Sequence, residues 1–386
     1  MPEAVIVDAV RTPIGRAFKG SLKDFRADEL AAVPIKALVE RNPEVDFGET
    51  VDVMMGAASG IGEQGYNVAR NASLLAGLDH HVPGCTLNRF CASSLQTLRM
   101  AFHAIKVGEG DQYIAAGVEA VSRAGLGAGM ADEFKHPKLD GSEGSLYDVY
   151  IPMGITAENV AERCKITREQ QDEWAVVSQN RAVDARDSGH FAREIVPVML
   201  EDGKEVALDD GPRPGTTIEV LAGLKPAFRP DGTVTAGNSC PLNDGAAAVL
   251  VMSDEKAGAL GLKPRARIMA STVAAIRPEL MGLGPIPAIL AVLEETGMTI
   301  DDVDVVEINE AFAAQIVPCK AELGIDDEKL NPFGGAIALG HPFGMTGARI
   351  MTTLLNDLET LDKQYGLESM CVAGGMGMAM IVERLN

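Results

Sequence analysis

Short apolar runs alternate with segments of helical spacing along this chain. Residues 4–10 read as a buried strand, 26–41 carry apolar positions at helical spacing, and 51–55 form a short apolar strand running into small residues. Residues 93–107 predict a helix, and 112–116 a further buried strand entering Gly117. Buried strands alternating with helices predict an α/β fold on a mostly parallel sheet covered on both faces. The order then recurs. Glu49-Thr-Val-Asp-Val-Met-Met has the pattern of Asp302-Val-Asp-Val-Val-Glu-Ile, and the helix after Cys91 has a counterpart in 348–358, opened by a glycine-rich segment. Tyr113-Ile-Ala-Ala-Gly-Val parallels Met370-Cys-Val-Ala-Gly-Gly. The shared order, at an offset of about 250 residues, predicts an internal duplication.

Between the halves, over roughly residues 120–240, the pattern breaks. Glycine, methionine, proline and charges cluster in 124–153, and a helical pair follows at 157–164 and 168–188. Thr167-Arg-Glu-Gln170 is a capping box for the second of these. This section predicts a large insertion over one face of the core, where substrate recognition is commonly placed.

Composition narrows the function. The chain has 386 residues, enough for two or three domains, and a net charge of −21. So acidic a surface argues against nucleic acid and anionic membrane as partners, because both need clustered Lys and Arg. A phosphate-bearing substrate would need its basic residues gathered locally. The six cysteines, at 85, 91, 164, 240, 319 and 371, include no CxxC pair and no metal-ligand spacing, which reads as a cytoplasmic protein with reduced thiols and no metal. The first ten residues read as a strand rather than a signal peptide, and no apolar run reaches membrane-spanning length.

Four segments carry candidate chemistry. Cys91, in Asn88-Arg-Phe-Cys91-Ala-Ser-Ser-Leu-Gln96, stands where the chain turns into a helix, and free N–H groups there would lower its thiol pKa. It reads equally as a small buried hydrophobe. His341 lies on the glycine-dense loop 334–347, where a rigidly held imidazole could take a proton from a thiol; a backbone-bonded structural histidine is the plainer alternative. Asn309 follows a strand and precedes Glu310-Ala-Phe312, so it could aim its amide into a crevice or cap the next helix. Cys371 ends a strand and enters Ala373-Gly-Gly-Met-Gly377, where the backbone could approach a ligand, or which is simply a glycine-rich turn. Neither 374–377 nor 125–129 has dinucleotide-fingerprint spacing.

Together these segments resemble the thiolase family, the acetyl-CoA acyltransferases and acetyltransferases. The resemblance runs from Ile6-Val-Asp-Ala-Val-Arg-Thr-Pro13 to the C-terminus, through Met153-Gly-Ile-Thr-Ala-Glu-Asn159, Leu224-Lys-Pro-Ala-Phe228, Thr235-Ala-Gly-Asn238, Asn243-Asp-Gly-Ala-Ala247 and Met281-Gly-Leu-Gly-Pro285. Asn-Glu-Ala-Phe and Gly-Gly-Ala-Ile-Ala-Leu-Gly-His-Pro are its most specific stretches. It implies two duplicated βαβαβαββ halves packed face to face, a five-layered αβαβα core with an inserted loop domain. The halves would be 1–120 with 243–265, and 266–386, with 121–242 as the insertion for CoA binding and oligomer contacts. It also implies cleavage of a 3-ketoacyl-CoA by CoA to acetyl-CoA and a shortened acyl-CoA, as in fatty acid β-oxidation. Cys91 would be the acylated nucleophile, His341 its base and Cys371 the acid/base for the acetyl-CoA carbanion. Asn309, through a water, and His341 would form one oxyanion site; the backbone N–H groups of Cys91 and Ala373 would form another. Met153, Lys225, Cys240, Met281, Ala311 and Phe312 match positions near CoA or the catalytic cavity. CoA is then a substrate, no cofactor is bound covalently, and a homodimer or homotetramer is expected, with 120–145 in any tetramer contact.

The chain departs from the family pattern at four places. Ser94 replaces a glycine after the nucleophile, Ala373 replaces the first glycine of the last motif, and Cys240 stands where a serine usually lies beside pantetheine. Pro152-Met153 replaces the His-Met of acetyl-specific members and resembles degradative enzymes. The alternatives are an acetoacetyl-CoA-forming acetyltransferase and an inactive acyl-CoA-binding protein of the same fold. A decarboxylating ketoacyl synthase is opposed by the second thiol at Cys371.

Overall fold

The computed structural model describes residues 1–124 and 132–386. The 125–129 run and part of the expected tetramer segment 120–145 lie outside the described residues. In chain order the first half contains β1 (Ala4–Arg11), α1 (Ala27–Arg41), β2 (Asp52–Gly56), α2 (Val68–Leu75), β3 (Gly84–Leu87), α3 (Ser93–Val107) and β4 (Gln112–Ala120). Two helices of the central section follow, α4 (Met153–Cys164) and α5 (Arg168–Asp187), and then β5 (Asn243–Ser253). The second half contains β6 (Ala266–Ala275), α6 (Pro285–Thr296), β7 (Val305–Ile308), α7 (Ala313–Leu323), α8 (Thr346–Thr360), β8 (Tyr365–Val372) and β9 (Met376–Arg384).

These strands lie in the order β7-β8-β9-β6-β1-β5-β4-β2-β3. The sheet is mixed, which corrects the expectation of a mostly parallel one. Only β7–β8, β2–β3 and β2–β4 pair in parallel; the central pairings are antiparallel. The physical reason is in the connections. A turn of three residues joins β8 to β9, which permits only antiparallel pairing, and β5 re-enters beside β4 after the whole insertion.

Alternation along the strands sorts the side chains into layers. Ile114, Ala116 and Val118 of β4 face α1 and α2, while Tyr113 and Ala115 face α3 and α8. In the second half Met370, Val372, Met378 and Met380 face the same two helices, and Leu367, Ala379 and Ile381 face α6 and α7. The layers run helices, sheet, helices, sheet, helices, the five that the resemblance implies. The two sheet halves meet edge to edge only at Val5–Arg267 and Ile6–Ala266.

The duplication has a constant register. Helices α3 and α8 start and end 253 residues apart. Parallel pairing sets Asp52 against Tyr113, and Val305 against Gly366, at that same spacing. Gly366 is therefore the counterpart of Tyr113, which shifts the expected match with Met370 by one helical turn's worth of residues.

The insertion is tied to the core by buried charge. Arg11 donates through Nε to Glu194 at 2.6 Å and through both terminal nitrogens to Asp209 at 2.8 and 2.9 Å. Helix α5 starts at the Thr167–Gln170 capping box, and its Trp174 and Ser178 reach the core carboxylate of Glu310 at 3.0 and 2.5 Å. Among the described residues no helix is long and apolar enough to cross a membrane.

Candidate active site

Between β3 and α3 the chain makes a tight turn held by its own polar groups. The Asn88 Oδ1 accepts from the Phe90 N–H at 2.7 Å, while its amide donates to the Ala58 carbonyl at 2.8 Å. The Arg89 N–H donates to Ser93 Oγ at 2.9 Å, and that hydroxyl donates to the Phe90 carbonyl at 2.7 Å. Phe90 is forced to φ 47°, left-handed for a bulky residue, at a cost on the order of 1 kcal/mol or more. The next residue is Cys91, delivered at the mouth of α3. The Ala373 N–H, from the other half of the chain, lies against the Cys91 sulfur.

The Cys91 thiol is pushed up to about 12, chiefly by lost solvation and further by Glu119; the Ala373 N–H only partly opposes this. That corrects the expected lowering: burial at this helix start outweighs the free N–H groups. A thiol pushed up in this way rests protonated at neutral pH.

The base candidate has a defined tautomer. The Asn309 amide nitrogen stands 3.3 Å from His341 Nε2, so Nε2 accepts. His341 Nδ1 therefore carries the hydrogen and donates to Thr346 Oγ1 at 2.6 Å, and the Thr346 hydroxyl donates to the Pro342 carbonyl at 2.8 Å. The His341 backbone N–H is fixed on Asn243 Oδ1 at 3.0 Å. Burial, and then the charge of Arg349, drive the imidazole down to about 3. It is a neutral acceptor at any physiological pH. Asn309 does not cap a helix, since α7 begins after Phe312; among the described residues its buried Oδ1 has no partner.

Cys371 is fully buried at the end of β8, its thiol pushed up by burial and then by Cys91, Cys319 and Cys240. Cys91, Cys240 and Cys371 thus lie within electrostatic reach of one another. Ala373 avoids positive φ, and Gly374 and Gly375 take φ 79° each, so the alanine offers its N–H without strain. Met281, Ala311 and Phe312 pack with Cys371 in one apolar wall, and Met153 and Cys240 lie against it. The Cys240 N–H donates to the Ala311 carbonyl at 3.0 Å. Cys240 also lines a cleft of about 390 Å³ that runs out past Phe228 to Arg213 and Arg16. Lys225 is exposed at its rim, between the lining residues Leu224 and Ala227; the cations on the wall are the two arginines.

Two positions escaped the sequence reading. Glu119 is fully buried and accepts from Ala58 N–H, Ser59 N–H, the Gln64 amide and Gly344 N–H at 2.9 to 3.1 Å, binding the His341 loop to the first half. Glu310 takes Asn331, Ser178, Trp174 and the Ile337 N–H, which anchors the Asn309 loop. A glutamate embedded in an apolar strand end is the only signal either gave. Ser94 has a reason to differ from glycine: its Oγ accepts the Ala348 N–H at 2.9 Å, so α3 caps α8.

Comparison with known proteins agrees with this geometry. The families described as "Thiolase, N-terminal domain" and "Thiolase, C-terminal domain" match residues 4–255 and 262–384. A beta-ketoadipyl-CoA thiolase of Acinetobacter baylyi is 48% identical, covering 100% of both chains. A 3-ketoacyl-CoA thiolase of Serratia proteamaculans is 46% identical, again over 100% of both. The crystal structure of the dimeric peroxisomal thiolase of Saccharomyces cerevisiae superposes with a TM-score of 0.93 at 40% identity, covering 100% of this chain and 98% of that one. With its fold, its two family domains and its full-length relatives in agreement, the chain belongs to the thiolase family.

Proposed function

We propose that this thiolase works in the degradative direction, cleaving a 3-ketoacyl-CoA with CoA to acetyl-CoA and a shortened acyl-CoA. What supports this reading is the Asn309–His341 contact in the second half, together with Cys91 and Cys371 within electrostatic reach of each other and the Ala373 N–H against the Cys91 sulfur. Cys91 Sγ bonds to the 3-keto carbon as its proton passes to His341 Nε2. The C2–C3 bond then breaks, its electron pair forming the enolate of acetyl-CoA, and the Cys371 thiol protonates C2. The incoming CoA thiol loses its proton to the Cys371 thiolate, attacks the acyl-Cys91 thioester and releases the shortened acyl-CoA. The imidazolium returns its proton to the departing Cys91 sulfur.

Negative charge appears twice, on the tetrahedral intermediate and on the enolate, so two sets of donors are needed. The N–H groups of Cys91 and Ala373 serve the first. The second faces His341 and a water held by the free Oδ1 of Asn309. Nucleophile, base and acid are all side chains, so the reading asks for no metal and no bound cofactor. Arg16 and Arg213 suit the CoA phosphates. A homodimer is the assembly we favour, by likeness to the yeast enzyme.

The apolar wall of Met153, Met281, Ala311 and Phe312, and Pro152 before it, support an uncharged acyl chain longer than acetyl. A second reading, favoured by the beta-ketoadipyl-CoA thiolases, is an acyl chain ending in a carboxylate. Comparing kcat/KM on acetoacetyl-CoA, a straight C8 3-ketoacyl-CoA and 3-oxoadipyl-CoA decides. Exclusive use of the C4 substrate sinks the degradative reading, and preference for 3-oxoadipyl-CoA selects the second over the first.

A further inference from the structure

Behind the active site, in the middle layer, lies a group of buried ionisable residues that the reaction scheme does not use. Glu307 of β7 and Glu368 of β8 are direct neighbours in the parallel pair, and both are fully buried. Like charges side by side in an apolar interior are unfavourable, so something must neutralise them. Arg349 of α8 is that partner: it is 1% exposed, and Glu307, Glu194 and Glu368 act on it, with Arg11 opposing. Asp357, two turns further along α8, accepts from His190 at 3.0 Å and shares a hydrogen bond with Glu307.

The protonation of this group can be worked out. Two carboxyl groups in hydrogen-bond contact need one proton between them, and burial, the first cause for each, drives both Glu307 and Asp357 up. Glu368 is driven up by burial as well. The Glu307–Asp357 pair therefore shares a proton, Glu368 is held toward its neutral form, and His190, lowered by burial, is a neutral donor. Yet Arg349 is not consumed by these contacts. Among the described residues its Nε and Nη1, and both oxygens of Glu368, are buried without a partner. A guanidinium held in place but left unsatisfied projects its charge.

That charge has a direction. Thr346, which holds His341 Nδ1, precedes Arg349 by one turn on the same face of α8. Glu307 precedes Asn309 by two residues on one face of the same strand run, so both members of the Asn309–His341 pair rest on elements this group braces. We propose that Arg349 is a positioning residue of the reaction, placing a fixed positive charge behind the Asn309–His341 pair so that His341 stays unprotonated at rest and returns its proton readily. The lowering of His341 has Arg349 as its second cause after burial. Other charges facing Arg349 are Arg11 and Glu194, and Arg193 acts on Asp357; none of these contacts His341.

The inference rests on His341 being the base. Arg349→Met and Arg349→Lys proteins, checked for folding by thermal unfolding, are tested by NMR titration of the labelled His341 imidazole and by the pH profile of kcat/KM for thiolysis. Removing one unit charge at an effective dielectric of about 20 moves the His341 titration, and the acid limb of the profile, upward by on the order of one pH unit. The lysine variant, which keeps the charge, stays close to wild type. If the methionine variant does not fold, Arg349→Gln is neutral, polar and expected to behave the same way. Overlay of either folded neutral variant on wild type overturns the proposal, and so does a lysine variant that shifts as far as the methionine one. Failure of the base assignment itself would look different: a His341→Ala enzyme with full activity.

Discussion

The two halves carry the same three structural positions and use them oppositely. At the common spacing, Cys91 corresponds to Gly344, Cys371 to Val118 and Asn309 to Gly56. The correspondence is physical. A Cβ on Gly344 would stand 2.3 Å from the Val118 carbonyl and 2.7 Å from that of Gly56, so the twin of Cys91 touches the twins of Cys371 and Asn309. One copy of the arrangement carries the proposed reactive site, and the other is closed by backbone packing. Gly344 N–H on Glu119 seals the closed copy. Rigid closure on one side sets the His341 loop that serves the other.

That contrast is broken most severely from the open side. Cys91→Ser is expected to lower kcat for thiolysis by on the order of 10⁴, because the hydroxyl is far less nucleophilic and yields an oxygen ester. Asn309→Ala should cost about a hundred- to a thousand-fold in kcat with a small change in KM, since its partner forms in the transition state. Equal KM and kcat effects would place Asn309 in binding instead. On the closed side, Gly344→Ala should destabilise the fold by about 1–3 kcal/mol in urea unfolding, and slow the enzyme only through the displaced His341 loop. Ser94→Gly is the mildest, removing one helix cap for about 1 kcal/mol while activity stays within about twofold.

The pH behaviour sharpens the same contrast. Alkylation of Cys91 by iodoacetamide should rise steadily with pH without levelling off before about 10, because the thiol sits near 12, and acyl-CoA should protect it. A plateau below pH 8 would mean an activated resting thiolate. His341, held near 3 against an unfolded value near 6.5, gives a stability that is full above 6.5 and falls as the pH drops toward 3, where the unfolded chain alone gains the proton.

The reactive copy was legible in the sequence because cysteine, histidine and asparagine in small-residue settings are conspicuous. The closed copy was not, since Gly56, Val118 and Gly344 look like ordinary punctuation until the register is known. Strand direction was hidden for a related reason. Buried strands read as apolar runs whichever way they point, and β5 joins its neighbours only after the insertion. The helix-start effect on Cys91 was read from the backbone alone, without the solvent lost to Ala373 and its neighbours. Arg349, Glu307 and Glu368 were passed over because single charges in apolar strands and helices usually reach the surface, and only tertiary packing shows that these do not.

The paired arginines of the cleft have a kinetic consequence. CoA brings several phosphate charges to a chain of net charge −21. With the CoA phosphates on Arg16 and Arg213 as proposed, the acidic chain repels the ligand at long range and attracts it only close to these two arginines. Salt screens the far field first, because the Debye length at 0.15 M is already about 8 Å. Substrate capture should therefore quicken as ionic strength rises from very low values, then slow once the near field is screened too. Such a maximum is the opposite of the monotonic fall seen where a basic protein steers an anion.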